Sequence, residues 1–297
     1  MGTLLQGLLW VLIILAAAVV LAVAVMKHRR RGRFFDANGI AVHYTDEGEG
    51  EPVVLLHGFA VNSDLNWRRS GFISMLRRDF RVITMDLRGH GLSAKPHVPA
   101  QYGLEMVYDV VRLLDHLGID KAHVVGYSLG GFITLKLAAT VPQRLLSASI
   151  LGAGWESRDN SEFLQALPQM AAQLRAGHGI EPPDSHFGAD RIRPTRLHTG
   201  VVKLLTGRWF NDQAALAAML EATPGLAVEE DELAGIHVPV CGIAGTHDAL
   251  AVSARALEGR LKDYTLTLVP GADHVRTPLY RQTRRVLRGF LQQHRRG

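Results

Sequence analysis

The chain has 297 residues, 47% hydrophobic and 21% charged, with 33 Lys or Arg against 28 Asp or Glu and a formal net charge of +5. That balance can bury one large core and excludes a disordered or low-complexity chain, and a single cysteine, Cys241, excludes an intramolecular disulfide. The basic excess does not signal a nucleic-acid partner, because no basic patch interleaved with aromatic residues accompanies it.

Residues 1–26 carry no charged side chain, and 8–26 is an unbroken apolar run of 19 residues. As a helix it measures about 28 Å, close to the hydrocarbon thickness of a bilayer. A transmembrane anchor is expected over 1–26, with residues 4–26 in contact with membrane lipid. Residues 27–33 follow with five Lys or Arg and no acid. A cleaved secretory signal carries its positive charge ahead of the apolar run, not behind it, so a retained single-pass anchor is the better reading; Ala22-Val23-Ala24 is the sole hint of a cleavage site. The basic juxtamembrane flank puts residues 34–297 on the cytoplasmic side.

Within 34–297 the elements alternate. Residues 35–44 read as two short strands around the hairpin pair Asn38-Gly39. The run 53–56 is a buried strand ending in His57-Gly58-Phe59. The apolar run 122–125 leads into Gly126-Tyr127-Ser128-Leu129-Gly130-Gly131 and then an apolar helical pattern over 132–139. A serine in that setting sits on a sharp strand-to-helix turn that exposes Oγ, and glycines two residues to either side let strand and helix approach.

The alternation is interrupted over about 155–235. Helical patterns at 161–176, 196–205 and 212–222 are separated there by Pro182-Pro183, Pro194 and Gly207. Next comes a short strand over 238–244 closed by Gly245-Thr246-His247-Asp248. A strand over 264–269 is followed by the turn 270–273 and His274. Residues 277–293 read as a last helix, and 276–297 carries seven Arg and no acid. That helix either lies near anionic headgroups or packs Val286, Leu287 and Phe290 on the sheet.

These pieces assemble into acyl-transfer chemistry. Ser128 is the candidate nucleophile, His274 the base that takes its proton, and Asp248 the carboxylate that orients the base. Asp273 is the competing acid, but side chains of adjacent residues rarely face each other. His247 reads as a loop residue. The chain order serine, aspartate, histidine suits a nucleophile on a strand–turn–helix elbow. The amides of Leu129 and Phe59 are the candidate oxyanion donors. Trp67, Trp155, Met170, Trp209 and Phe210 are the candidate substrate-binding side chains, and Met219 is a further large apolar side chain that could line the pocket. Neither a metal-ligand constellation nor a phosphate-binding loop is visible, so no cofactor is expected.

Residues 34–297 resemble the α/β-hydrolase superfamily, in its serine-nucleophile, epoxide-hydrolase-like and lipase-like subgroup. The resemblance rests on the 35–44 hairpin, His57-Gly58, Asp86-Leu87-Arg88-Gly89-His90-Gly91-Leu92-Ser93, and the Ser128, Asp248, His274 order. It implies an α/β fold with a mostly parallel central sheet, helices on both faces, and a helical cap at about 155–235. It also implies that the 86–93 loop is structural, shaping the wall beside the elbow. Related dehalogenases and epoxide hydrolases carry an aspartate nucleophile, so Ser128 points instead to an acyl-enzyme formed from a small-molecule ester or thioester. The alternatives kept open are a cofactor-free haloperoxidase-like enzyme, a carbon–carbon bond hydrolase using the same triad, and a non-catalytic ligand-binding protein.

Overall fold

The computed structural model describes residues 32–158, 161–180, 196–207 and 210–296. The expected anchor over 1–26, nearly all of the basic segment 27–33, and Trp209 lie outside the described residues. Among the described residues, no helix is long and apolar enough to cross a membrane. Phe34–Gly297 forms one compact unit.

The strands are β1 (Arg33–Asp36), β2 (Ala41–Glu47), β3 (Pro52–Leu56), β4 (Arg81–Met85), β5 (Ala122–Tyr127), β6 (Leu145–Leu151), β7 (Val240–His247) and β8 (Tyr264–Asp273). They form a single sheet in the order β1-β2-β4-β3-β5-β6-β7-β8. β2 runs antiparallel to β4, and every pairing from β4–β3 to β7–β8 is parallel. Asn38 and Gly39 turn the first hairpin with φ of 60° and 81°, the left-handed pair that matches the twist of the flanking strands. The inner strands β3 and β5 are buried on both faces, as their near-continuous apolar runs require when helices cover a parallel sheet.

The helices are α1 (Phe72–Leu76), α2 (Leu104–His116), α3 (Leu129–Thr140), α4 (Glu162–Arg175), α5 (Arg196–Thr206), α6 (Gln213–Ala222), α7 (Glu230–Leu233), α8 (Ala251–Arg255) and α9 (Arg281–Gln293). Helices α4, α5 and α6 fall in the interruption between β6 and β7, where the sequence patterns put them. Their starts follow from capping chemistry: the Ser161 hydroxyl accepts from the Leu164 amide and the Asp212 carboxylate from the Ala215 amide, both at 3.0 Å. α4 packs against α6.

Two expectations near the C-terminus are corrected. The strand expected to stop at 269 continues through Pro270 and Gly271 to Asp273, and the Gly271 amide donates to the Thr246 hydroxyl at 2.9 Å. A proline fits there because β8 is the edge strand and its far side needs no donor. The helix expected from 277 begins with a 3₁₀ turn at Thr277–Leu279 and becomes α-helical only at Arg281. α9 buries Leu287, Phe290 and Leu291, and Arg288 pairs with Asp79 at 2.8 Å, so its apolar stripe faces the body of the fold.

Candidate active site

Each candidate residue sits just beyond the C-terminal end of a parallel strand, the edge where open α/β sheets present their loops to ligands. β3 leads to His57, β5 to Ser128, β7 to Asp248 and β8 to His274. The last register pair of β7 and β8 is His247 with Asp273. The next residues, Asp248 and His274, therefore leave the sheet side by side although 26 positions separate them.

Ser128 adopts φ 53° and ψ −115°, a left-handed backbone that costs a non-glycine residue about 1–3 kcal/mol. The crossing of strand and helix enforces it. A Cβ at Gly126 would collide with the Gly130 carbonyl and the Thr134 hydroxyl, and one at Gly130 would collide with the Leu56 carbonyl. The two flanking glycines thus let α3 start directly on top of β5 and β3, with the serine side chain left proud of the sheet.

The three side chains form one hydrogen-bonded relay. His274 Nε2 lies 3.0 Å from Ser128 Oγ, and His274 Nδ1 lies 3.0 and 2.9 Å from Asp248 Oδ1 and Oδ2. Asp248 is buried, whereas the His274 side chain is 26% exposed and faces the cavity. A carboxylate on Nδ1 keeps the proton there and leaves Nε2 free to accept from the serine. Burial pulls the imidazole pKa down, but the charge and hydrogen bonds of Asp248, with a smaller contribution from Asp273, outweigh it, so the pKa stands above the ordinary histidine value. Asp273 reaches no histidine nitrogen; its Oδ1 accepts from the Arg276 amide at 2.8 Å. His247 is exposed at the rim of the cavity.

Leu129 opens α3, so its amide has no acceptor within the helix. Across from it, the Gly58 amide donates to Asn66 Oδ1 at 2.9 Å and the Ala60 amide to His90 Nε2 at 3.1 Å. The amides on both sides of Phe59 are thereby committed, and Phe59 lines the same cavity as Ser128 and Leu129. His57 and His90 hold this loop in their neutral forms. Each donates from Nδ1 to a backbone carbonyl and accepts a backbone amide at Nε2: Gly58 O and Leu87 N for His57, Arg88 O and Ala60 N for His90. Burial lowers both pKa values, that of His90 to about 3.

The 86–93 loop is tied down by buried polar contacts. Burial would raise the Asp86 pKa, yet His43 Nδ1, the Ser63 amide and hydroxyl, and the Leu92 amide all donate to the carboxylate and hold it well below the usual range. Arg88 is buried against Asp109.

Three positioning contacts had no signal strong enough to be read from the sequence. Asn66 holds Gly58 from a π-helical turn over Asp64–Arg68. Asn211 Nδ2, between α5 and α6, donates to the Ala60 carbonyl at 2.9 Å. Tyr127, adjacent to the serine, donates its hydroxyl to the His274 carbonyl, and its ring lies 5.4 Å from the imidazole. Tyr127 lies inside the elbow motif, and Asn66 and Asn211 are next to Trp67 and Phe210, but the side chains singled out there were the aromatic neighbours.

A cavity of about 840 Å³ opens over the relay and extends under α4, α5 and α6. Met170 is among the residues that line it. Trp67 does not: it is fully buried below the site with its ring edge-on to Phe72 at 5.1 Å, part of the core. Trp155 does not either, since its indole N–H donates to the Val228 carbonyl at 2.7 Å and Arg260 covers its ring at 4.5 Å. Phe210 is 52% exposed on the turn after Gly207 and does not line the cavity. Aromatic size alone cannot distinguish a pocket wall from a packing face, which is why these three expectations failed. Among the described residues, no cluster of three or more His, Cys, Asp or Glu could hold a metal ion.

A parallel sheet with a strained serine elbow and a histidine–aspartate relay at its C-terminal edge defines a hydrolase architecture. The family model for the alpha/beta hydrolase fold matches residues 51–275, and the chain belongs to that family. A 2-hydroxymuconate semialdehyde hydrolase of a Pseudomonas species is 36% identical over 211 residues, covering 65% of this chain and 73% of its own length. A dihydrolipoyllysine-residue acetyltransferase component of an acetoin cleaving system from Cupriavidus necator is 36% identical over 145 residues, 48% of this chain; the chain spans 37% of that relative's length. The structure of a thermophilic esterase from Thermogutta terrifontis superposes with a TM-score of 0.71 at 22% identity, covering 89% of this chain and 99% of that one, a likeness of fold.

Proposed function

We propose that this α/β hydrolase is a membrane-anchored serine hydrolase that cleaves a carboxylic ester or thioester through an acyl-enzyme. The observation that carries the reading is the unbroken relay from Asp248 through His274 to Ser128 Oγ at the floor of a cavity. In this reading Ser128 Oγ attacks the carbonyl carbon while His274 Nε2 takes its proton. The tetrahedral oxyanion is held by the Leu129 and Phe59 amides, and His274 returns the proton to the departing alkoxide or thiolate. Water, deprotonated by the same imidazole, then releases the acid and restores Ser128.

A fluorophosphonate probe tests this directly, because it phosphonylates a serine only where a base activates it. Labelling that disappears in Ser128→Ala is the expected result. Folded protein that takes no label at Ser128 would remove the enzyme reading and leave ligand binding as the use of the cavity.

The anchor rests on the sequence: a charge-free residue 1–26 segment long enough to span a bilayer, followed by five basic residues. The full chain should stay with membranes through an alkaline carbonate wash, and a chain lacking residues 1–33 should be washed free. Recovery of the full chain in the wash would sink the anchor.

A further inference from the structure

We propose that the cavity selects an unbranched, uncharged aliphatic acyl chain, so that the ester cut at Ser128 is a medium- or long-chain one; this rests on the serine hydrolase reading. Three features carry it.

The first is size and lining. About 840 Å³ lies in the upper part of the range that encloses a whole drug-sized ligand, more than an acetyl or butyryl group can fill. Beyond the relay the walls are aliphatic and aromatic: Phe132, Leu167, Met170, Val202, Leu205 and Met219. Two methionines on facing cap helices suit a flexible chain, because an unbranched thioether side chain adapts its shape to the ligand.

The second is that the hydroxyls of Thr206, Thr223, Ser70 and Tyr127 in the lining are spent on the protein itself. Thr206 Oγ1 accepts from the Ile180 amide and donates to the Val202 carbonyl, each at 2.8 Å. The Thr223 hydroxyl donates to the Met219 carbonyl at 2.9 Å, the Ser70 hydroxyl to the Asn66 carbonyl, and the Tyr127 hydroxyl to the His274 carbonyl. Asn66 Oδ1 accepts from the Gly58 amide. A hydroxylated or amide-bearing chain would leave its own polar groups unpaired among apolar walls, at a cost that an alkyl chain avoids.

The third is charge. Among the described lining residues the cation is Arg276, exposed at the rim with its guanidinium 5.9 Å from the Tyr280 ring. Its backbone amide donates to Asp273 Oδ1 at 2.8 Å, next to the relay. A carboxylate at the tail of the acyl group would therefore meet no second cation among the described lining residues. The rim also carries exposed apolar side chains, with Leu65, Val275 and Leu279 lining the opening while 40%, 39% and 59% exposed.

The test uses the full-length chain in detergent and reads kcat/KM for p-nitrophenyl acetate, butyrate, octanoate and laurate. It adds the mono-p-nitrophenyl ester of octanedioic acid, which matches octanoate in length but ends in a carboxylate. Each methylene buried in an apolar wall is worth roughly fourfold, so octanoate should exceed acetate by at least about 100-fold and its carboxylated counterpart by at least about tenfold. Replacing Met219→Trp, or Leu167→Trp if the first does not fold, should lower the octanoate-to-acetate ratio by at least about tenfold, since either indole fills the chain's path. A flat or falling series beyond butyrate, preference for the carboxylated ester, or an unchanged ratio in the folded variant would overturn the inference. If acetate is turned over and Ser128 takes the probe while length brings no gain, the chain-binding inference alone fails. If neither acetate turnover nor labelling depends on Ser128, the hydrolase reading falls with it.

Discussion

Ser128→Ala should lower kcat for a p-nitrophenyl ester by about 10⁶-fold, to the background that binding and the oxyanion donors supply without a nucleophile. The size follows from what is lost. His274 Nε2, 3.0 Å away, has no other side chain to deprotonate there, so no acyl-enzyme forms. The fold should be unaffected, because Ser128 Oγ makes no hydrogen bond other than that to His274 and alanine carries the same Cβ through the φ 53° turn. A melting temperature within a few degrees of the parent, with burst-phase release of nitrophenolate gone, is the expected pair of observations. Retention of more than a hundredth of the parent kcat would place the nucleophile elsewhere.

Asp248→Asn should lower kcat by about 10⁴-fold while substrate binding changes little. An amide at 248 can donate its N–H to His274 Nδ1, which pushes the proton to Nε2 and turns a proton acceptor facing Ser128 into a donor. The change also has a pH signature. In the parent the imidazole pKa is raised, so kcat/KM should rise with pH through an apparent pKa above about 6.5, because the protonated ring cannot accept from the serine. Removing the Asp248 charge leaves burial as the main influence, and the acid limb of the residual activity should move to lower pH. Asp273→Asn should cost far less, since Asp273 acts on the ring only through space and its carboxylate is engaged with the Arg276 amide. The reverse ranking, full activity in Asp248→Asn and loss in Asp273→Asn, would reassign the acid.

The elements of chemistry in this chain are local and so were legible one residue at a time. Gly126 and Gly130 mark a close crossing wherever they occur beside a serine between strand and helix, because no other residue type fits the space. Asn38-Gly39 marks a hairpin, and Ser161 and Asp212 mark helix starts, for equally local reasons. The order Ser128, Asp248, His274 was visible along the chain, yet the choice between Asp248 and Asp273 turned on strand register. Pairing His247 with Asp273 brings the next residue of each strand together and leaves the Asp273 side chain directed elsewhere.

What the sequence alone determined, then, is the α/β alternation, the serine elbow, the position of the helical insertion, and the charge-free N-terminal run, all properties of neighbours within a few positions. Only the tertiary structure decided which large side chains face the ligand. Trp67, Trp155 and Phe210 have the composition of a pocket wall, but Trp67 went to the core, Trp155 to a carbonyl and a guanidinium, and Phe210 to the surface. Leu167, Val202 and Leu205 took the wall instead, beside Met170 and Met219. The physical reason is that burial rewards apolar area wherever it is buried, so hydrophobicity says that a side chain will be covered and not by what. The same holds for Asn66 and Asn211, whose contacts with Gly58 and Ala60 depend on loops folding back over the sheet and leave no mark on the local sequence.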